Sequence, residues 1–224
     1  MRVKYYLIIL LLVAANNIQA QSDSIQANFE LVKGENLVKD LDYDGIRDTV
    51  RVEFVFPADT NLENYSYIVC RLSSQQFAKV KSGKMVTSWL GFPEIRFGIT
   101  DVEEGFEFYT DYTRGGARAR ICYDEQARDV RLTSMSRYEI GDADGDGKGE
   151  SSIDLRTYNY EGGWYAYDHN RDCLFKIPTI RQEMNFGIVF LDAFDNEVIS
   201  EYIRWCDLLR YEEKMKIILK NLTP

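Results

Sequence analysis

One histidine in 224 residues is the scarcity with the widest consequences. A Ser-His-acid or Cys-His nucleophile needs an imidazole base. His169 lies in a polar turn between Asp168 and Asn170, so no catalytic residue is assigned. Zinc is excluded on the same ground, because the four cysteines are widely scattered and no second histidine exists to complete a tetrahedral site. No glycine-rich loop runs into a lysine as a phosphate cradle would. Positive charge is also short: 27 Lys and Arg against 36 Asp and Glu, a net charge of −9. Such a chain has no electrostatic means of holding nucleic acid or an anionic lipid surface. After Tyr5 to Ala15 no long apolar run follows, and that one is too short to span a bilayer, so no membrane span is expected.

The opening has the three parts of a secretory signal over residues 1–20: Arg2 and Lys4, then the apolar run, then Ala20 as cleavage residue. No cysteine lies beside that point, which argues against a bacterial lipoprotein anchor. The protein is expected to be exported, periplasmic or extracellular, with residues 21–224 forming a single domain. Its net charge without the signal is −11, two positive residues being lost. Cys70, Cys122, Cys173 and Cys206 then meet an oxidising compartment. At least one disulfide is expected, and three pairings are open.

Two loops concentrate the acidity. The first is Asp40, Asp42, Asp44, Gly45, Ile46 and Asp48; the second is Asp142, Asp144, Asp146, Gly147, Lys148 and Glu150. Three carboxylates at alternate positions turn inward together when the chain bends sharply after the third, and glycine permits that bend. The seventh residue, Ile46 or Lys148, then offers its carbonyl, and the ninth, Asp48 or Glu150, an acid. Calcium is the expected cofactor. The second loop, with extra glycines at 145 and 149, reads as the stronger site. The competing reading of either loop is a solvated Asp-Gly turn. Neither loop is an EF-hand, because Arg51 and Ile153 stand where the bidentate glutamate would be.

The remainder reads as mainly β, with antiparallel meander sheets arranged as a propeller or a sandwich and one C-terminal helix. Val50, Val52, Phe54 and Phe56 alternate with polar or lesser residues up to Pro57, and Tyr65 to Leu72 is a second strand. Phe106, Phe108, Thr110 and Tyr112 form another, Gly115-Gly116 is the expected turn, and Ala117 to Tyr123 returns. The second acidic loop opens into a strand carrying Ile153, Leu155 and Thr157 on one face, and Gly162-Gly163 is the next expected turn. From Asn196, apolar residues recur at three and four, which predicts a helix over 196–220 capped by Asp195.

The loop pattern D-x-D-x-D-G-x-x-[D/E] running into a strand resembles the calcium loops of FG-GAP and VCBS-type repeats, which line β-propellers in extracellular proteins. The resemblance implies that Asp40, Asp42, Asp44, Ile46 and Asp48, and likewise Asp142, Asp144, Asp146, Lys148 and Glu150, are calcium ligands. A broader stretch from Phe106 to Ile180 is distantly similar to calcium-loop lysozyme inhibitors of the bacterial periplasm, which implies a binding role.

Two further groups are candidates for contact with a partner. Trp164 and Tyr165, within the run Tyr158, Tyr160, Trp164, Tyr165 and Tyr167, are the expected partner-binding residues, against a reading as core and turn packing. Arg114, Arg118 and Arg120 are either an acidic-ligand site or the wet face of a strand. The expected function is an exported calcium-binding module, non-enzymatic, for a protein or glycan partner. The alternatives are a carboxylate-dependent glycoside hydrolase, which needs two free acids facing one pocket, and a structural envelope protein.

Overall fold

The computed structural model describes residues 29–57, 64–86 and 96–222. The expected signal peptide lies outside them. Strands β1 (Phe29–Lys39), β2 (Asp48–Pro57), β3 (Tyr65–Arg71) and β4 (Lys79–Lys81) form an antiparallel sheet in that order, and β5 (Met85–Val86) also pairs with β3. The second sheet is an antiparallel meander of β6 (Arg96–Asp101), β7 (Phe106–Tyr112), β8 (Gly115–Asp124), β9 (Asp129–Glu139), β10 (Gly149–Asp154), β11 (Asn159–Asp168) and β12 (Cys173–Lys176). Strand β13 (Ile180–Glu183) pairs with the first half of β11. Helix α1 (Asn196–Leu222) closes the chain. The fold is therefore mainly β, with a C-terminal helix. A propeller needs about four or more radial four-stranded blades, and the described residues form two sheets.

Alternation decides the faces. Phe106, Phe108, Ala117, Ala119, Met135 and Ile153 point inward from the larger sheet, where they join Val50, Val52, Ile68 and Leu72 of the smaller one in a single core. Helix α1 adds Ile199, Tyr202, Cys206 and Leu209, all buried at the predicted spacing of three and four. Each fully buried side chain of this size contributes about 1.5–3 kcal/mol. Asp195 caps the helix: its Oδ1 accepts from the backbone N–H of Glu197 at 3.0 Å and of Val198 at 3.2 Å. No helix among the described residues is long and apolar enough to cross a membrane.

Three local expectations are corrected. The Gly-Gly pairs are not turns: Gly115 and Gly116 begin β8, and Gly162 and Gly163 lie inside β11. The strand after the second loop ends at Asp154, and residues 155–158 turn instead. The expected disulfide is absent, since all four cysteines are free thiols. They sit on β3, β8, β12 and α1, and two of the buried ones have polar partners of their own, Cys122 with Thr133 and Cys206 with Ser151, each at 3.3 Å.

Candidate functional site

The first acidic loop is the tip of the β1–β2 hairpin, where Lys39 pairs with Asp48. Gly45 at φ +87° makes the bend, and Tyr43 also takes a left-handed conformation. The result brings ligand atoms of Asp40, Asp42 and Asp48 within 4.8 Å of one another, the one such trio among the described residues. Oxygens bound to one calcium ion lie at most about 5 Å apart, given bonds of about 2.3–2.6 Å, so the spacing fits a shared shell. Asp40 Oδ2 accepts from the Gly45 backbone N–H at 3.0 Å, whereas its Oδ1 is buried with no hydrogen-bond partner. A buried carboxylate oxygen left unsatisfied is costly unless something fills its lone pairs.

The other acids of this loop have structural duties as well. Asp48 is fully buried, and its two oxygens accept from the backbone N–H groups of Leu41 and Ser73, each at 2.7 Å. Asp42 accepts from the Ser74 hydroxyl and from the Ser74 backbone N–H at 3.2 Å. Asp44 stands outside the trio, accepting from the Ser73 hydroxyl at 2.7 Å and the Ile46 N–H at 2.8 Å. The Ser73 bond, then that of Ile46, holds the Asp44 carboxyl below the usual range. Ile46, expected to lend its carbonyl, is exposed on the loop. Ser73 and Ser74 come from the short 3-10 turn between β3 and β4. They brace the loop from outside it, and nothing in the sequence announced them because they are 25 or more residues away from the acids they hold.

The second loop, expected to be the stronger site, is arranged differently. Asp146 faces inward and receives the Lys214 ammonium on both oxygens, at 3.0 and 3.1 Å, together with the Tyr167 N–H at 2.8 Å. Burial works to raise its pKa, but these donors and the charges of Lys214 and Arg210 outweigh it and hold the carboxyl below the usual range. Asp144 is exposed, and its Oδ1 accepts from the Asp146 N–H at 3.0 Å. Asp142 is exposed too, and the Lys148 carbonyl is taken by the Tyr165 N–H at 2.7 Å. Glu150 stands on β10 between Tyr138 and Gly163, lining the outer face of the sheet. Four of the five expected ligand positions thus point to separate tasks, and the cation at Asp146 is the protein's own. Among the described residues it is the first loop, not the second, that gathers three carboxylates.

That outer face holds a groove of about 850 Å³. Its side chains come from three adjacent strands in register: Ser136 and Tyr138 on β9, Glu150 and Ser152 on β10, Glu161, Gly163 and Tyr165 on β11. Tyr165 lines it. Trp164 does not: it points to the opposite face, 1% exposed, with its indole N–H donating to the Tyr160 hydroxyl at 3.3 Å. Period two places neighbours on opposite faces, so an adjacent pair on a strand cannot both meet one partner. Of the acids beside Glu150, one points to the opposite face and one is engaged. Glu139 binds the Arg137 guanidinium and the Tyr112 hydroxyl, and Glu161 binds Arg181 through two bonds at 2.9 and 3.2 Å.

Arg118 is likewise committed, to Asp111 at 2.6 Å, and Arg114 to the Gly141 carbonyl at 2.7 Å. Arg120 stands 3.8 Å from Glu107. The three arginines form a wet strand face and hold loop ends rather than converging on one ligand. His169 is exposed, edge-on to Tyr167. No protein-family model matches the chain, and no curated protein or solved structure matches it at a significant level.

Proposed function

We propose that this protein is an exported, calcium-stabilised binding module without catalytic activity, with the metal held by the first acidic loop. The observation that carries the reading is the convergence of Asp40, Asp42 and Asp48 within 4.8 Å of one another, with the Oδ1 of Asp40 buried and unpartnered. A hard cation fills that position with the ligand type it prefers, and loop carbonyls and water complete a shell of about six to eight oxygens. Bound there, calcium ties the β1–β2 hairpin to Ser73 and Ser74 and so to the far edge of the smaller sheet. The loop's resemblance to FG-GAP calcium loops supports the same assignment. Export rests on the N-terminal signal pattern alone.

A non-catalytic role is favoured because hydrolysis by two carboxylates needs both free, one to donate a proton and the other to attack or to activate water. Glu161 is held by Arg181, and Glu139 turns to the opposite face, where Arg137 holds it, which leaves Glu150 without a second free acid in the groove. The test has two arms on the chain lacking residues 1–20. Calcium titrated into chelator-stripped protein should show saturable binding that Asp40→Asn and Asp42→Asn abolish, while Asp142→Asn and Asp144→Asn leave it in place. Polysaccharides incubated with the protein should release no reducing ends. Absence of calcium binding, or turnover lost in Glu150→Gln, overturns the proposal.

A further inference from the structure

We infer that the groove on the outer face of the larger sheet is a binding site for a neutral glycan, an inference that rests on the binding-module reading. The groove exists because of residue size. Across the middle of the groove several outward positions are small: Ser136 on β9, Ser152 on β10 and Gly163 on β11. Larger side chains rise on either side of them, so a sheet face that would otherwise be filled is left hollow. At Gly163 a Cβ would meet nothing within 4 Å. The glycine there is not needed for backbone conformation or for packing against a neighbour; what it leaves is open space beside Glu150 and Tyr165.

The chemistry of the walls selects the ligand. Tyr138 is held firmly. Its ring lies over Gly116, where a Cβ would come within 2.7 Å of it, its hydroxyl donates to Asp111 at 3.0 Å, and the Arg118 guanidinium stands 5.6 Å from its centroid. Tyr165 stands on β11, two strands away, about 10 Å at the usual strand spacing. Such rings offer a flat apolar face with a polar tip, which suits the C–H faces and hydroxyls of a sugar, and their rigidity limits the entropy lost on binding. Between them lie the Glu150 carboxylate as acceptor and the hydroxyls of Ser136 and Ser152 as donors and acceptors. Charge decides between a neutral ligand and an ionic one. Lys148 and Lys176, with Arg181 on Glu161, stand against Glu150 and Glu161, a surplus of a single positive charge, so the groove has only a weak field with which to draw an ion. An uncharged, hydroxyl-rich chain matches both the shape and the charge balance.

The experiment is calorimetric titration of the calcium-loaded chain with neutral oligomers of glucose, xylose and N-acetylglucosamine, beside an acidic galacturonate oligomer and oligolysine. Binding of at least one neutral oligomer is expected. Tyr165→Ala and Glu150→Gln should weaken it about tenfold or more. Gly163→Val, whose Cβ enters open space, should abolish it while leaving the unfolding midpoint unchanged. Binding of only the charged oligomers, binding that survives Gly163→Val, or no binding of any neutral oligomer overturns the inference. Any of these, with calcium stabilisation intact, removes the glycan site and leaves the module reading. Cleavage of an oligomer removes the module reading instead.

Discussion

Replacing Asp40 by Asn separates the metal from the fold. In the apo protein three carboxylates crowd within 4.8 Å, and removing one negative charge relieves repulsion. The Gly45 N–H bond survives, because an amide oxygen accepts as a carboxylate oxygen does. The apo unfolding midpoint should therefore stay level or rise. In calcium the outcome reverses. A site of three carboxylates without the bidentate glutamate falls among the weaker calcium modules, with Kd about 10⁻⁴–10⁻³ M. At about 10 mM calcium, mass action then stabilises the native wild type by about 1.4–2.7 kcal/mol, or about 3–10 °C for a domain of this size. Asp40→Asn should lose most of that shift. Asp48 is the contrasting case: besides belonging to the carboxylate trio it holds two backbone N–H groups, so Asp48→Ala should cost about 2–4 kcal/mol even without calcium. The assay is differential scanning calorimetry of each chain in chelator and in calcium. A wild-type midpoint that ignores calcium, or an equal shift in Asp40→Asn, would refute the reasoning.

Lys214→Met should destabilise the protein by about 1–2 kcal/mol in urea titration, because Asp146 is left partly buried without its cation; an unchanged midpoint would mean that the second loop does not hold the helix. Glu53 is 2% exposed between Arg51 and Lys79. Burial works to raise its pKa, but the bonds and charges of Lys79 and Arg51 prevail and lower it. Its contribution to stability is thus full above the ordinary carboxylate value of about 4.3 and is lost as pH falls through the depressed folded value. Glu53→Gln should flatten that acid limb of a stability-against-pH curve measured in chelator. Thiol titration should find one fast-reacting cysteine, Cys173, which is exposed, and three that react only on unfolding; burial pushes the Cys70 thiol up to about 12.

Much of the architecture was legible locally. Alternation marked Phe106 and Phe108 as one face of a strand, and the spacing from Val198 to Leu209 marked the helix and its buried stripe, because period two and period 3.6 are written into the chain itself. Asp195 was readable as a cap, since capping is settled within three residues. The Gly-Gly pairs misled. Glycine signals a turn by default, whereas here Gly116 admits the Tyr138 ring and Gly163 leaves a hollow in the sheet face, both facts about neighbours on other strands. The cysteine count misled for a related reason: evenness is a property of the chain, but pairing is a property of where four elements end up.

The two acidic loops show the division most clearly. Sequence determined that each carries alternating aspartates and a bend, and there the two are nearly alike. What differs is which distant group arrives. Ser73 and Ser74 brace the first loop with neutral donors and leave three of its carboxylates close together, one with an unsatisfied oxygen, whereas Lys214, 68 residues beyond Asp146, brings a positive charge to the second. A carboxylate cluster draws in a metal ion when the fold supplies no cation of its own, and tertiary contact alone decides whether it does.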